Sequence, residues 1–182
     1  ISFTGIDGIG ISDTLCDPEH VVAMEPLTVD EPTVTMTFQV NKSPFAGQEG
    51  KYLTTRQISD RLDQELIHNV ALRVEPTPDP DKFKVSGRGE LHLSILIETM
   101  RREGYELAVS RPEVIFKEID GVRSEPYESV TIDVEEQFQG KIMEAIGERK
   151  GNLQDMVPDG KGRVRLDYMI PSRGLIGFHT DF

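Results

Sequence analysis

The chain has 182 residues, enough for one large domain or two small ones with a sizeable core. Its 37% hydrophobic and 29% charged residues describe an ordinary globular protein, and no apolar run reaches the roughly 18 residues that a membrane span needs. A formal net charge of −12 excludes a surface that is basic throughout, as a general nucleic-acid platform would require.

The charge is uneven. No Lys or Arg precedes Lys42, whereas between Gln137 and Gly177 seven bases stand against five acids. Cys16 is the sole cysteine, so no internal disulfide can form, which suits a reducing, cytoplasmic setting. ISFTGIDGIG at the N-terminus lacks the basic and apolar regions of a signal peptide.

Residues 1–31 form a loop-rich, strand-like segment ending in acids, too short for a core of its own. Regular patterning starts at Thr33. Val34, Met36, Phe38 and Val40 alternate with polar residues, the mark of a half-buried strand. The loop NKSPFAGQEGKY follows, then Thr54 with Gln57 as a capping box, then a helix with Ile58, Leu62 and Leu66 on one stripe. Leu72 and Val74 begin a strand that ends in PTPDPD, and Phe83 and Val85 begin the next. The junction VSGRGELHL leads into a helix with Leu93, Leu96, Ile97 and Met100 inward, Arg101 and Arg102 in its last turn and Gly104 at its end. Tyr105, Leu107 and Val109 alternate in a closing strand. The order β-α-β-β-α-β predicts a ferredoxin-like unit over 32–119.

After the strand-like VIFKEI and the turn Asp120-Gly121, the order begins again. Val130, Ile132 and Val134 predict a strand, and Phe138, Ile142 and Ile146 a helix. Leu153–Val157 predicts a strand, and Val164, Leu166, Tyr168 and Ile170 another. A second junction, IPSRGLIGF, opens a further helix. The fold class is therefore α+β, with two ferredoxin-like βαββαβ units. The second, over 120–182, is expected to be incomplete at its C-terminal side, and the mostly polar stretch from Asp120 to Pro126 is expected to be an adjustable linker.

The two junctions have the layout of phosphate-binding turns. A nucleotide loop needs Gly-x4-Gly-Lys-Ser/Thr, but Gly50-Lys51, Gly140-Lys141 and Gly160-Lys161 are followed by Tyr52, Ile142 and Gly162. A dinucleotide turn would need glycine where His92 stands. In the first junction Glu90 opposes an anion, so Gly87 and Gly89 serve backbone geometry. In the second, Leu175 replaces that acid and leaves Arg173 unopposed near a helix start, a plausible phosphate seat. His20, His68, His92 and His179 lack ligand spacing, and no catalytic, cofactor or metal constellation is expected.

These residues add up to a family resemblance across almost the whole chain. SGRGELHLSILIETMRREGYEL with RPEVIFKE resembles the third domain of translational GTPases of the elongation factor G type. GERKGNLQDMVPDGKGRVRLDYMIPSRGLIGF is similar to their fifth domain, and ISDTLCDP to the strand that closes their second-domain barrel. IPSRGLIGF with NKSPFAGQEGKY points to the BipA/TypA branch, from whose pattern His179 departs, since arginine is expected there. The resemblance implies that residues 1–31 end a β-barrel domain and its linker. It also implies a factor that acts on the ribosome and in stress responses, with GTP and Mg²⁺ held by a G domain outside this chain and no catalysis within it.

The expected partners are rRNA and ribosomal proteins, with tRNA reached through a C-terminal domain also outside the chain. No membrane contact is expected, and the chain should be a monomer. By resemblance the basic turn of Arg149, Lys150 and Gly151 faces large-subunit rRNA, joined by Lys161, Arg163 and Arg173. Lys42 and Lys51 are weaker candidates for a small-subunit or G-domain contact. Arg165 would lie on the same sheet face as Arg163, where pairing with an acid would leave it contributing little. The rival expectation is a stand-alone RNA-binding or regulatory ferredoxin-like module. An RNA-reading sheet needs exposed aromatics, however, and Phe83 shares the inward face with Val85.

Overall fold

The computed structural model describes residue 5 and residues 9–181. The segment ISFTGIDG therefore lies, apart from Gly5, outside the described residues, as does Phe182. From 9 to 31 the chain carries one isolated bridge, Asp17 to His20, and no strand. Here side chains substitute for a ladder: Met24 N–H donates to Thr14 Oγ1 at 3.1 Å and Leu27 N–H to Ser12 Oγ at 3.0 Å.

Alternation makes the first sheet. Strand β1 (Val34–Val40) buries Val34, Met36 and Phe38. Helix α1 (Thr55–His68) starts at the Thr54–Gln57 capping box and buries Ile58 and Leu62. Strands β2 (Arg73–Pro76) and β3 (Lys82–Gly87) follow, then helix α2 (Glu90–Glu103), which Gly104 ends in the left-handed region at φ 95°. Strand β4 (Leu107–Val109) completes the antiparallel order β2-β3-β1-β4. This is the ferredoxin-like arrangement. Leu93, Leu96 and Met100 from α2 meet Ile58 and Leu62 from α1 over Val34, Phe38 and Val85, so both helices cover one face. Each fully buried Leu or Ile there contributes about 1.5–3 kcal/mol.

The run VIFKEI divides. Strand β5 (Glu113–Val114) joins the first sheet beside Val34, whereas β6 (Lys117–Ile119) pairs with β7 (Val122–Ser124). Asp120 and Gly121 make their turn, with φ of 52° and 76°, as a two-residue hairpin with matching twist requires. The stretch from Asp120 to Pro126 is thus partly one arm of a ribbon. Lys117 pairs with Glu31 at its base, and Arg123 lies 4.1 Å from the Phe116 ring centroid.

In the second unit β8 (Tyr127–Glu135) leads through a 3₁₀ turn to α3 (Gln139–Glu148). Strands β9 (Asn152–Pro158) and β10 (Arg163–Pro171) form the antiparallel sheet β8-β10-β9. Val164, Leu166, Tyr168 and Ile170 on β10 pack with Ile132 and Ile146. The helix expected from IPSRGLIGF is interrupted. It forms α4 (Ser172–Leu175) and α5 (Phe178–Asp181), because Gly177 between them takes φ 75°.

The loop 41–50 is anchored by one carboxylate. Glu106 accepts from Asn41 Nδ2 at 2.7 Å and from the N–H groups of Gly47, Glu49 and Gly50 at 3.0–3.1 Å. The Gly47 N–H and its neighbours hold the Glu106 carboxyl below the usual glutamate range. The anchoring is therefore complete above about pH 4.3 and lost as pH falls through the lowered value. Amide-exchange protection at Gly47, Glu49 and Gly50 should collapse in that acid window, and Glu106→Gln should weaken it at neutral pH as well.

The two glycines of the first junction do different work. A Cβ on Gly87 would lie 2.7 Å from His92 Nδ1 and 2.9 Å from Leu93 Cδ2, whereas nothing lies within 4 Å of one on Gly89, whose φ of 172° is extended backbone. Gly87→Ala should cost about 1–3 kcal/mol in urea unfolding. Gly89→Ser should be neutral or stabilising by about a few tenths of a kcal/mol, since serine caps helices slightly better than glycine.

Candidate nucleic-acid interface

The basic residues of the second unit fall at opposite ends of its sheet. Arg149 and Lys150 precede β9 and Arg173 follows β10, at one end. Lys161 and Arg163 sit at the other, in and after the β9–β10 turn. Seven residues of β9 at about 3.3 Å each put roughly 20 Å between the two groups. The structure therefore makes two basic ends and no single patch.

At the first end, helix α3 closes in a Schellman turn. Gly151 N–H donates to Ile146 O at 2.9 Å and Lys150 N–H to Gly147 O at 3.0 Å. The left-handed position of this motif usually holds glycine, but here Lys150 occupies it at φ 67°, with its side chain exposed. Gly151 is needed one residue later, since a Cβ there would lie 2.3 Å from Ile146 Cγ2. No ion pair or hydrogen bond involves the Lys150 ammonium among the described residues.

Arg149, the first of the expected rRNA contacts, turns inward. Its Nη1 donates to Gly174 O at 3.0 Å and Ile176 O at 3.2 Å, and its guanidinium lies 5.2 Å from the Phe178 ring centroid. Arg173 corrects the expectation that it stands unopposed. Its Nε and Nη2 grip Glu125 at 2.7 and 3.3 Å, and each partner stabilises the other's charge, lowering the Glu125 carboxyl pKa. The phosphate seat expected at this junction is thus taken by a carboxylate, and α4 has only four residues.

At the other end, Asp159 shapes the turn. Its Oδ1 accepts from Lys161 N–H at 2.7 Å and Arg163 N–H at 3.0 Å, and both hydrogen bonds hold its carboxyl below the usual aspartate range. The Lys161 side chain is exposed and without an ion-pair partner among the described residues. Arg163 Nη2 reaches Asp133 O at 3.4 Å, and Arg165 pairs with the Asp133 carboxylate at 3.1 and 3.2 Å. In the first unit Lys42 pairs with Asp81 at 2.8 Å, while Lys51 is exposed and uses its N–H on Gly104 O.

The two glycine junctions, similar in sequence, meet in space. Glu90, at the start of α2, accepts from the Gly177 N–H at 2.6 Å. The carboxylate that opposes phosphate in the first junction is thus the ligand of the second. His92, two residues on, accepts the Arg88 N–H on Nδ1 at 3.3 Å and lies 2.9 Å from Asn69 Nδ2. Burial, then the neighbouring Arg88, lowers its pKa. Glu125 and Gly177 carry signals too weak to interpret before the fold is known: a lone acid before proline, and a glycine inside a helical pattern.

Residues 122–182 match the elongation factor G C-terminus family, which defines the class of the second unit. Over all 182 residues the chain is 71% identical to the large ribosomal subunit assembly factor BipA of Haemophilus influenzae. It is 69% identical to that of Salmonella typhimurium and 59% to that of Buchnera aphidicola, again over its full length. In each case it spans 30% of the relative. Over its whole length the chain thus resembles one part of the BipA/TypA-type, elongation factor G-like proteins.

A non-glycine residue in the left-handed region costs about 1 kcal/mol. Lys150→Gly should therefore raise stability in urea unfolding by about 0.5–1 kcal/mol.

Proposed function

We propose that this chain is a ribosome-binding portion of a BipA/TypA-type factor and that it meets rRNA of the large subunit with the Lys150 end of its second unit. The observation that carries this reading is the exposed ammonium of Lys150, set at the tip of a Schellman turn whose geometry favours glycine. The relatives' name, large ribosomal subunit assembly factor, supports the large subunit as the partner. Lys161 and Arg163 form a second contact at the far end of the sheet. The spacing of the two ends lets one unit touch two phosphate runs.

Arg165 and Arg173, each held by a carboxylate, orient the sheet and the junction and add little direct affinity. Lys51 and, once released from Asp81, Lys42 face the small subunit or a G domain. In this reading GTP hydrolysis with Mg²⁺ belongs to a part of the protein outside these residues, and the chain itself works as a cytoplasmic monomer that orients that part on the particle. Ribosomal proteins, and tRNA through a further domain, are the additional partners.

Co-sedimentation with isolated large subunits across a salt series tests the reading. Each phosphate contact contributes about 0.7–0.9 to the log–log salt slope. Lys150→Gln and Lys161→Gln should each weaken binding and flatten the slope by about that amount. Binding that ignores both substitutions would overturn the assignment of these residues, and no salt dependence at all would overturn RNA as the partner.

A further inference from the structure

The carbonyl of Ile176 and the N–H of Gly177 belong to one peptide group. Arg149 donates to its oxygen at 3.2 Å, and Glu90 accepts from its nitrogen at 2.6 Å. A cation at the oxygen end and an anion at the N–H end both polarise the peptide in the same sense, so each hydrogen bond strengthens the other. Arg149 belongs to the second unit and Glu90 to the first. The peptide between them is therefore gripped from both units at once.

The surroundings make this grip matter. Besides the contact of α4 with β5, the units face each other across a cavity of about 460 Å³ lined by Leu91, Ile132, Leu175 and Phe178. The Ser172 hydroxyl is buried there without a hydrogen-bond partner among the described residues. Apolar packing that would fix the angle between the units is thus thin at this point. On the other side of the grip, Gly174 packs so closely on the Lys150 turn that a Cβ would lie 2.6 Å from Arg149 O. The guanidinium and the backbone of Arg149 both hold the segment that reaches Glu90, and the next residue is Lys150.

We propose that Arg149 is a positioning residue that couples the RNA-facing Lys150 turn to the angle between the two units, through the single peptide it shares with Glu90. Contact at Lys150 is then transmitted to α2, and a change in the angle between the units re-aims the Lys150 ammonium. The coupling to RNA rests on the function proposed above; the clamp between the units does not.

The test measures both quantities in the same chain. Spin labels at Ser94→Cys and Gln154→Cys, in a Cys16→Ser background, report the distance between the units, and large-subunit co-sedimentation reports binding. Arg149→Lys keeps the charge but loses the planar fork that reaches two carbonyls. We expect Arg149→Lys and Glu90→Ala each to broaden the distance distribution, with the double variant no broader than either single one. Arg149→Lys should also lower affinity several-fold at every salt concentration while leaving the log–log slope unchanged.

An unchanged distribution in Arg149→Lys would overturn the clamp. A slope that drops by about 0.7–0.9 in Arg149→Gln would make Arg149 a phosphate ligand and overturn the positioning role. If the unsubstituted chain does not bind subunits, the proposed function fails while the distance measurement still decides the clamp. Gly174→Ala presses on the same contact without altering the guanidinium. It should broaden the distribution too, and it carries the test should Arg149→Lys fail to fold.

Discussion

The third strand of each unit is hydrogen-bonded along both edges, and the rest of the molecule is arranged around that constraint. Strand β3 lies between β2 and β1, and β10 lies between β8 and β9. A strand paired on both sides and buried on one face is strongly held in register, so its alternation fixes which side chains enter the core. On β10 this places Val164, Leu166, Tyr168 and Ile170 against α3, with Arg163 and Arg165 on the opposite face. It also fixes where the chain leaves the sheet. Both glycine junctions follow such a strand, which is why they share a sequence pattern, and both are then positioned to approach each other.

The elements were legible because their signals are local. Period-2 alternation marked β1, β8 and β10, and the apolar stripe of α2 and the Thr54–Gln57 box were visible in the order of residues alone. The ferredoxin-like topology followed from that order. Divided elements were harder. VIFKEI looks like one strand because its composition is continuous. Yet Lys117 pairs across the nearby Asp120-Gly121 turn with Ser124, whereas Val114 is claimed by Val34, a partner 80 residues away that no local window contains. The last helix breaks for a similar reason: Gly177 permits a left-handed turn, and the carboxylate of Glu90, 87 residues away, takes the N–H that the turn presents.

The candidate site was legible as a list of cations and illegible as a geometry. Alternation placed Arg165 on the exposed face, where pairing with an acid was one of two readings, and the structure shows that pairing with Asp133. Alternation could not show that Arg173 meets Glu125, 48 residues distant, or that Arg149 points into the junction. Sequence position gives a charge, but only the fold gives it a partner. The resemblance to elongation factor G-like proteins identified the Arg149-Lys150-Gly151 turn as a unit, whereas the structure divides it, with one residue turned inward and the next turned outward.

That division follows from the chemistry of the two cations. A guanidinium is planar, carries several donors and is weakly hydrated, so it can satisfy two carbonyls and lie near an aromatic ring in a partly buried site. An ammonium is a compact charge that water holds strongly, so it stays outside and remains available to a phosphate. In an acidic chain most exposed arginines find carboxylates, as Arg165 and Arg173 do. In the function proposed above, cations that meet RNA must be kept from that fate. The left-handed backbone at Lys150 and the tight Asp159 turn at Lys161 do so by aiming the chain rather than by pairing the charge, since Asp159 Oδ1 takes the backbone N–H groups of Lys161 and Arg163. Backbone geometry thus sets Lys150 and Lys161 apart from Lys42 and Lys117, which carboxylates do neutralise.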